Sequence, residues 1–218
     1  MCGLAGLFHY GRETPADRDL LLRMTRLLAH RGPDGDGHWV DGPVGLGHRR
    51  LAIIDVTGGV QPMGNEDGSL QLVFNGELYN YAEFVAGLKE RGHTFRTKSD
   101  TEVLLHLFEE EGLAAFDRLR GMFAVALWDA PRRRLLLVRD RLGVKPLYYA
   151  DVAGRLLFGS EIKALLADPA LSREPDPAAL QGYLATGFVP GPHALLAAVR
   201  QVPPGHYLEV TAGGTPRV

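Results

Sequence analysis

A single cysteine in 218 residues excludes an intramolecular disulfide, and with it the stapled scaffolds that small secreted proteins depend on. No apolar run approaches the roughly 18 residues of a membrane span, and no basic-then-apolar leader opens the chain. Neither secretion nor a membrane location is therefore expected. The net charge is only −2 and the two signs are interleaved, which leaves no basic face for nucleic acid or an anionic membrane. Repeats and low-complexity stretches are lacking too. These absences point to small polar molecules as partners and to a reducing compartment, the cytoplasm, where a thiol survives. A chain of this length can bury roughly 70 % of its unfolded surface in one core, so it needs no metal staple.

What is there begins with the cysteine itself. It stands at position 2, so removal of Met1 would leave Cys2 with a free α-amine beside its thiol. A thiol titrates near ~8.5 and an α-amine near ~7.7 to 8.0, so nucleophile and general base would share one residue, the amine replacing the histidine of a Cys-His pair. The apolar Gly3-Leu4-Ala5-Gly6-Leu7-Phe8 that follows reads as a buried strand, which would hold the nucleophile in place.

Further along, Thr14-Pro15-Ala16-Asp17 predicts a helix start, with Leu20, Leu21, Met24, Leu27 and Leu28 on one face and Gly32-Pro33 as the stop. The Gly- and Asp-rich stretch 31–37 reads as a loop. Strands are expected at 44–47, at 51–55 and from Leu70 to a turn at Asn75-Gly76. Two helices follow, over about 80–91 with Asn80 near its cap and over about 101–111 with Ser99 and Glu102 as a capping box. Four more strands, at 122–128, 135–139, 147–150 and 156–158, are joined by short turns and so form antiparallel meanders. Two such strand blocks separated by a helix pair predict an α+β protein, a four-layer α/β/β/α sandwich of two mainly antiparallel sheets with helices outside. A short helix near 177–184 and a strand-like piece at 207–210 lie in a looser region rich in Pro, Gly and Ala, and 212–216 reads as a linker.

Several motifs occur in one order. They are Cys2-Gly3, Arg31-Gly32-Pro33-Asp34, His48-Arg49-Arg50-Leu51-Ala52-Ile53-Ile54-Asp55, Gln61-Pro62-Met63, Asn75-Gly76-Glu77-Leu78-Tyr79-Asn80, Ser99-Asp100-Thr101-Glu102, Gly121-Met122-Phe123-Ala124 and Arg139 through Tyr149. Together they resemble the N-terminal glutaminase domain of B-type glutamine-hydrolysing asparagine synthetases, which are class II glutamine amidotransferases with the Ntn-hydrolase fold. The resemblance implies that Cys2 attacks the side-chain amide of glutamine to give a γ-glutamyl thioester and ammonia, and that the side chain of Asn75 and the backbone N–H of Gly76 hold the oxyanion. It also implies Arg50 for the α-carboxylate of glutamine, Asp100 for its α-ammonium, and Leu51, Ile53 and Glu77 in the same pocket. For Asn75-Gly76 the competing reading is a plain hairpin turn, and for Asp100 an ordinary helix cap. Arg49 is assigned to the surface, because the arginine directly before the leucine is the ligand in the family pattern.

No metal is expected, since His30, His38 and His48 match no common zinc spacing. No cofactor is expected for this domain either; ATP and Mg²⁺ belong to the synthetase domain that the resemblance implies as partner in a longer chain, and a homodimer is compatible with it. The glutaminase domain is placed at 1–190, with 191–218 as an extension or linker toward that ATP-dependent domain. Rival readings are a catalytically silent scaffold retained for docking and a free-standing hydrolase of another amide.

Overall fold

A computed structural model describes the whole chain, Met1–Val218. The apolar first segment forms β1 (Gly3–His9), followed by α1 (Arg18–Arg26), β2 (Gly35–Asp41), β3 (Val44–Arg50), β4 (Met63–Gly64) and β5 (Leu70–Leu78). Helices α2 (Ala82–Glu90), α3 (Asp100–Glu111) and α4 (Ala115–Arg118) come next, then β6 (Gly121–Asp129), β7 (Arg134–Arg139), β8 (Tyr148–Asp151) and β9 (Arg155–Gly159). The chain closes with α5 (Ile162–Leu165), α6 (Pro177–Thr186), β10 (Arg200–Gln201) and β11 (Tyr207–Thr211).

The strands make two sheets, one of six in the order β10-β8-β9-β1-β3-β2 and one of five in the order β11-β7-β6-β5-β4, with antiparallel pairing throughout. Leu4, Phe8, Leu46, Val73, Trp128, Leu137 and Phe158 lie between them in one apolar cluster. A second cluster joins the six-stranded sheet to α1 and α5, and a third joins the five-stranded sheet to α2 and α3. The expected α/β/β/α sandwich is what the chain forms. No helix is long and apolar enough to cross a membrane.

Several local expectations are corrected. The cap of α1 is Asp17, which accepts from the Leu20 N–H, rather than Thr14, and Leu27 points to solvent while Leu20, Leu21, Met24 and Leu28 are buried. The stretch 31–37 is a loop only as far as Asp34. Gly35–Gly37 belong to β2, and at Gly37 a Cβ would lie 2.0 Å from the Gln61 carbonyl oxygen, so glycine serves close approach rather than chain breaking. The strand expected at 51–55 is irregular, because β3 runs on to Arg50 and the chain then leaves the sheet. Asn80 does not cap α2; its side chain bonds the Arg118 carbonyl and the Arg120 N–H, tying the start of that helix to the start of β6. Residues 191–218 do not behave as a linker, since β10 pairs with β8, β11 pairs with β7, and Val199, Val202, Leu208 and Val210 are buried. Their alternating apolar side chains complete both sheets.

Candidate active site

The two sheets meet at the N-terminal end of β1 in a cleft of about 130 Å³. Cys2, Arg50, Leu51 and Ile53 line it from the first sheet and the loop after β3; Asn75, Gly76, Glu77 and Asp100 line it from β5 and the start of α3. Residues that are up to 98 positions apart in the chain, and that sequence reasoning named separately, thus share one cavity.

The thiol of Cys2 is held from both sides. Its Sγ lies 3.4 Å from the Leu51 N–H nitrogen and 3.5 Å from the Leu51 carbonyl oxygen, and its own carbonyl accepts from Arg31 Nε at 2.9 Å. Arg31 is in turn fixed by Glu161, 2.9 Å from its guanidinium. Cys2 stands one residue before β1, which pairs with β3 from Gly3 and with β9 from Ala5, so the thiol is anchored by the strand that follows it and by its contacts with Leu51 and Arg31.

Asn75 and Gly76 are inside β5, opposite Ala124 and Phe123 of β6, so the turn expected there does not form. Gly76 has no left-handed φ. Its glycine is required for another reason: a Cβ would lie 2.3 Å from the Met122 carbonyl oxygen and 2.7 Å from the Phe123 Cα. The Asn75 side chain is 1 % exposed, and its Nδ2 has no hydrogen-bond partner in the protein. A buried, unpartnered amide nitrogen costs on the order of 1–3 kcal/mol unless something else accepts from it. In a cleft beside a thiol, that group is what an oxyanion would meet.

Arg50 lines the cleft, with the two ends of its guanidinium turned to the loop after β3. Its NH1 donates to the Val56 carbonyl at 2.7 Å and its NH2 to the Asp55 carbonyl at 2.5 Å, so the fork is occupied in holding the loop after β3. Those carbonyls have left the sheet and need donors, which is why the nearest guanidinium turns to them. Arg49 lies outside the cleft, on Asp36 and the Thr25 carbonyl.

Asp100 is the first residue of α3, yet the cap is Ser99, whose Oγ accepts from the Thr101 N–H. The Asp100 carboxylate accepts instead from the Leu78 N–H at 3.0 Å and lines the cleft. Burial raises its pKa above the ordinary carboxylate value, against the pull of its hydrogen bonds, and neighbouring Glu77 adds to the rise. Glu102 does not close a capping box on Ser99 but takes the N–H groups of Arg96 and Thr97, stitching down the chain that leads into α3.

Of the three histidines weighed earlier, His30 pairs with Glu161 and His38 lies 3.5 Å from Asp36. His48, fully buried on β3, bonds the Phe74 carbonyl of β5 through Nε2 at 3.1 Å, a polar strut between the sheets one residue before Asn75.

Among the lining or supporting residues that sequence reasoning did not assign to the site, two charged ones stand out. Arg31 clamps Cys2 as described, and Lys145, 4 % exposed, reaches the cleft and contacts Met1 Sδ at 3.1 Å. Lys145 is delivered by a loop wrapped around buried Asp140, whose carboxylate accepts from the N–H groups of Phe123, Leu142, Val144 and Lys145. The signal was present, because both residues fall inside quoted motifs, but a motif without an obvious reactive group gives no hint of which side chain turns inward.

Comparison with known proteins places this geometry in a class. The solved glutamine phosphoribosylpyrophosphate amidotransferase from Bacillus subtilis superposes over 99 % of this chain and 49 % of its own with a TM-score of 0.70 at 24 % identity, a likeness of fold. The glutamine amidotransferase domain family matches residues 1–217, and the chain belongs to it. Among curated relatives, asparagine synthetase [glutamine-hydrolyzing] 1 of Bacillus subtilis (strain 168) is 42 % identical over 216 residues, covering 98 % of this chain and 34 % of its own length. Asparagine synthetase B [glutamine-hydrolyzing] of Escherichia coli (strain K12) is 41 % identical over 167 residues, covering 76 % of this chain and 30 % of its own. The chain therefore spans about a third of the length of the curated relatives it matches.

Proposed function

We propose that this glutamine amidotransferase domain hydrolyses glutamine to glutamate and ammonia, and that within a longer chain the ammonia passes to an ATP-dependent synthetase domain that converts aspartate to asparagine. The observation that carries the reading is the unpartnered Nδ2 of buried Asn75 in the same cleft as the chain's one thiol.

In this reading the Cys2 sulfur attacks the amide carbon of glutamine, and its proton moves to the α-amine that removal of Met1 exposes. The C–O π pair becomes an oxyanion, received by Asn75 Nδ2 and the Gly76 N–H. Each such donor is worth about 3 kcal/mol to the step. Collapse re-forms the carbonyl, breaks the C–N bond and releases ammonia with the proton from the α-ammonium. Water then adds to the thioester and restores the thiol. Asp100 holds the substrate ammonium as a carboxylate. Arg50 meets the substrate carboxylate through Nε or by yielding a loop carbonyl, and Leu51, Ile53 and Glu77 shape the pocket. A reducing cytoplasm suits the thiol. No cofactor enters these steps; ATP and Mg²⁺ act in the synthetase domain.

The test is glutamate release by protein whose N-terminus has been read by intact mass. Activity is expected only in the fraction lacking Met1, abolished in Cys2→Ala, and lowered on the order of 10²-fold in kcat in Asn75→Ala with KM little changed. Full turnover with Met1 attached, or an Asn75→Ala variant as fast as the parent, refutes the mechanism.

A further inference from the structure

On the outer side of the five-stranded sheet, far along α3 from the cleft, four side chains converge that the chemistry above does not use. Glu66 comes from the β4–β5 turn, His93 from the residues after α2, and His106 and Glu109 from one face of α3. One ligand atom from each lies within 4.8 Å of all the others. His106 is 1 % exposed, and neither of its ring nitrogens has a hydrogen-bond partner.

The distances between these groups are the informative part. His106 Nδ1 is 3.4 Å from Glu66 Oε2 and 3.6 Å from Glu109 Oε2, and His93 Nδ1 is 3.5 Å from Glu66 Oε1 and 3.7 Å from the same Glu109 Oε2. Hydrogen bonds of this kind fall at about 2.7–3.2 Å, so these contacts are too long for that purpose. Tetrahedral ligands about 2.0–2.1 Å from a zinc ion are separated from one another by about 3.3 Å, so the four groups, with ligand atoms up to 4.8 Å apart, outline a wider shell that closes by small side-chain movements around an ion.

Both carboxylates and one of the imidazoles are also engaged by neighbouring groups, as metal ligands usually are. Glu66 Oε1 accepts from the Thr94 N–H at 3.1 Å, and Glu109 Oε1 accepts from Asn65 Nδ2 at 3.1 Å. His93 Nε2 is 3.0 Å from Glu110 Oε1, and His106 Nε2 faces buried Glu102 at 3.9 Å. The carboxylate behind His93 fixes the orientation of that ring and raises its basicity toward a metal, whereas His106 is held by burial alone. Glu66 and Glu109 are each about one-third exposed, which leaves an ion a way in.

We propose that Glu66, His93, His106 and Glu109 bind a zinc-class divalent cation in a closed, structural site. Sequence reasoning expected no metal because it weighed only the histidines near the N-terminus, whereas this set spans 44 positions and is assembled by the fold. Two imidazoles and two carboxylates suit first-row ions such as Zn²⁺ and Co²⁺. The ion would join the turn before β5, the segment after α2 and the middle of α3. It would thereby brace the helix whose first residue is Asp100, about 13 Å along its axis from Glu109.

The test uses Co²⁺ as a spectroscopic stand-in, titrated into the full chain after chelator treatment, followed by displacement with Zn²⁺. One equivalent of Co²⁺ with the intense visible bands of tetrahedral coordination is expected, bleached by Zn²⁺ and accompanied by a rise in Tm. Because His106→Ala removes a core side chain and can unfold the protein, the variants are Glu109→Gln and Glu110→Gln, with folding checked by circular dichroism. Glu109→Gln should lose the tetrahedral bands, Glu110→Gln should bind roughly 10- to 100-fold more weakly, and Cys2→Ala should bind as the parent does. Absence of tetrahedral bands in the parent, bands unchanged in Glu109→Gln, or bands lost in Cys2→Ala each overturns the site, whatever the protein does with glutamine.

Discussion

Protonating His48 should split the sandwich at the point where the two halves of the site meet. The ring is fully buried, with Nε2 donating to the Phe74 carbonyl across the sheets, and burial pushes its pKa down from 6.5 to about 4; the Phe74 bond opposes that and the charge of Arg50 reinforces it. A base whose pKa falls on folding contributes stability that is fully present above the unfolded value and is lost as pH falls from about 6.5 through about 4. The difference corresponds to about 3 kcal/mol. Urea unfolding of the parent and of His48→Gln, which retains an amide donor for Phe74, isolates this contribution from that of the carboxylates that titrate in acid. At a denaturant slope of about 3 kcal/mol per molar, the parent midpoint should fall roughly 1 M further than that of the variant between pH 7.5 and pH 4. Parallel declines in the two proteins would show that His48 does not resist protonation and would remove the strut from the argument.

Asp100→Asn should raise KM for glutamine roughly thirtyfold, about 2 kcal/mol, by removing one charge-assisted contact in a closed cleft. Because burial holds the Asp100 pKa above the ordinary carboxylate value, KM of the parent should climb as pH falls through that raised value while the KM of the variant stays level; matching pH profiles would remove Asp100 from the ammonium site. Gly76→Ala forces a methyl to within 2.3 Å of the Met122 carbonyl oxygen, so it should cost about 1–3 kcal/mol in urea unfolding and, by shifting the Gly76 N–H, lower kcat on the order of 10²-fold or more. A variant with parental kcat would mean that this N–H does not meet the oxyanion.

The layers were legible because both of their signals are local. The apolar residues of 70–74 broken by Gln71, the short continuous apolar run 135–138 and the apolar face of 20–28 each name an element without reference to any other. The positions that lead into the cleft were harder. Asn75-Gly76 carries the strongest short-range turn signal in the alphabet, yet continuous pairing with β6 from Leu70 to Leu78 holds β5 straight through it. Arg50 could be assigned to the cleft, but not seen to hold its own loop, because the carbonyls of Asp55 and Val56 become acceptors only once the chain has left β3. The tail from 191 reads as loose by its Pro and Gly content, and its role depends on strand edges of β8 and β7 that lie some 50 to 70 residues earlier.

One consequence of the architecture concerns how catalytic spacing is set. In the proposed mechanism the thiol stands one residue before a central strand of one sheet and the oxyanion donors on β5 of the other, so the gap an amide must bridge is set by how closely the two sheets pack. Leu4, Val73, Leu46 and Ala124 set that distance with side chains that touch no substrate, and His48 registers it by reaching one specific carbonyl, that of Phe74. The donors on β5 are held separately by Asp140, whose carboxylate fixes the Phe123 N–H opposite Gly76 and, through the Lys145 N–H, the loop that closes the cleft beside Met1. In the proposed mechanism the residue before β1 supplies the nucleophile and β5 the oxyanion donors, while the groups that meet the ends of a substrate, Arg50 and Asp100, come from the end of β3 and the first turn of α3. Such a division suits a site that must hold a reacting carbon within a fraction of an ångström yet admit and release an amino acid.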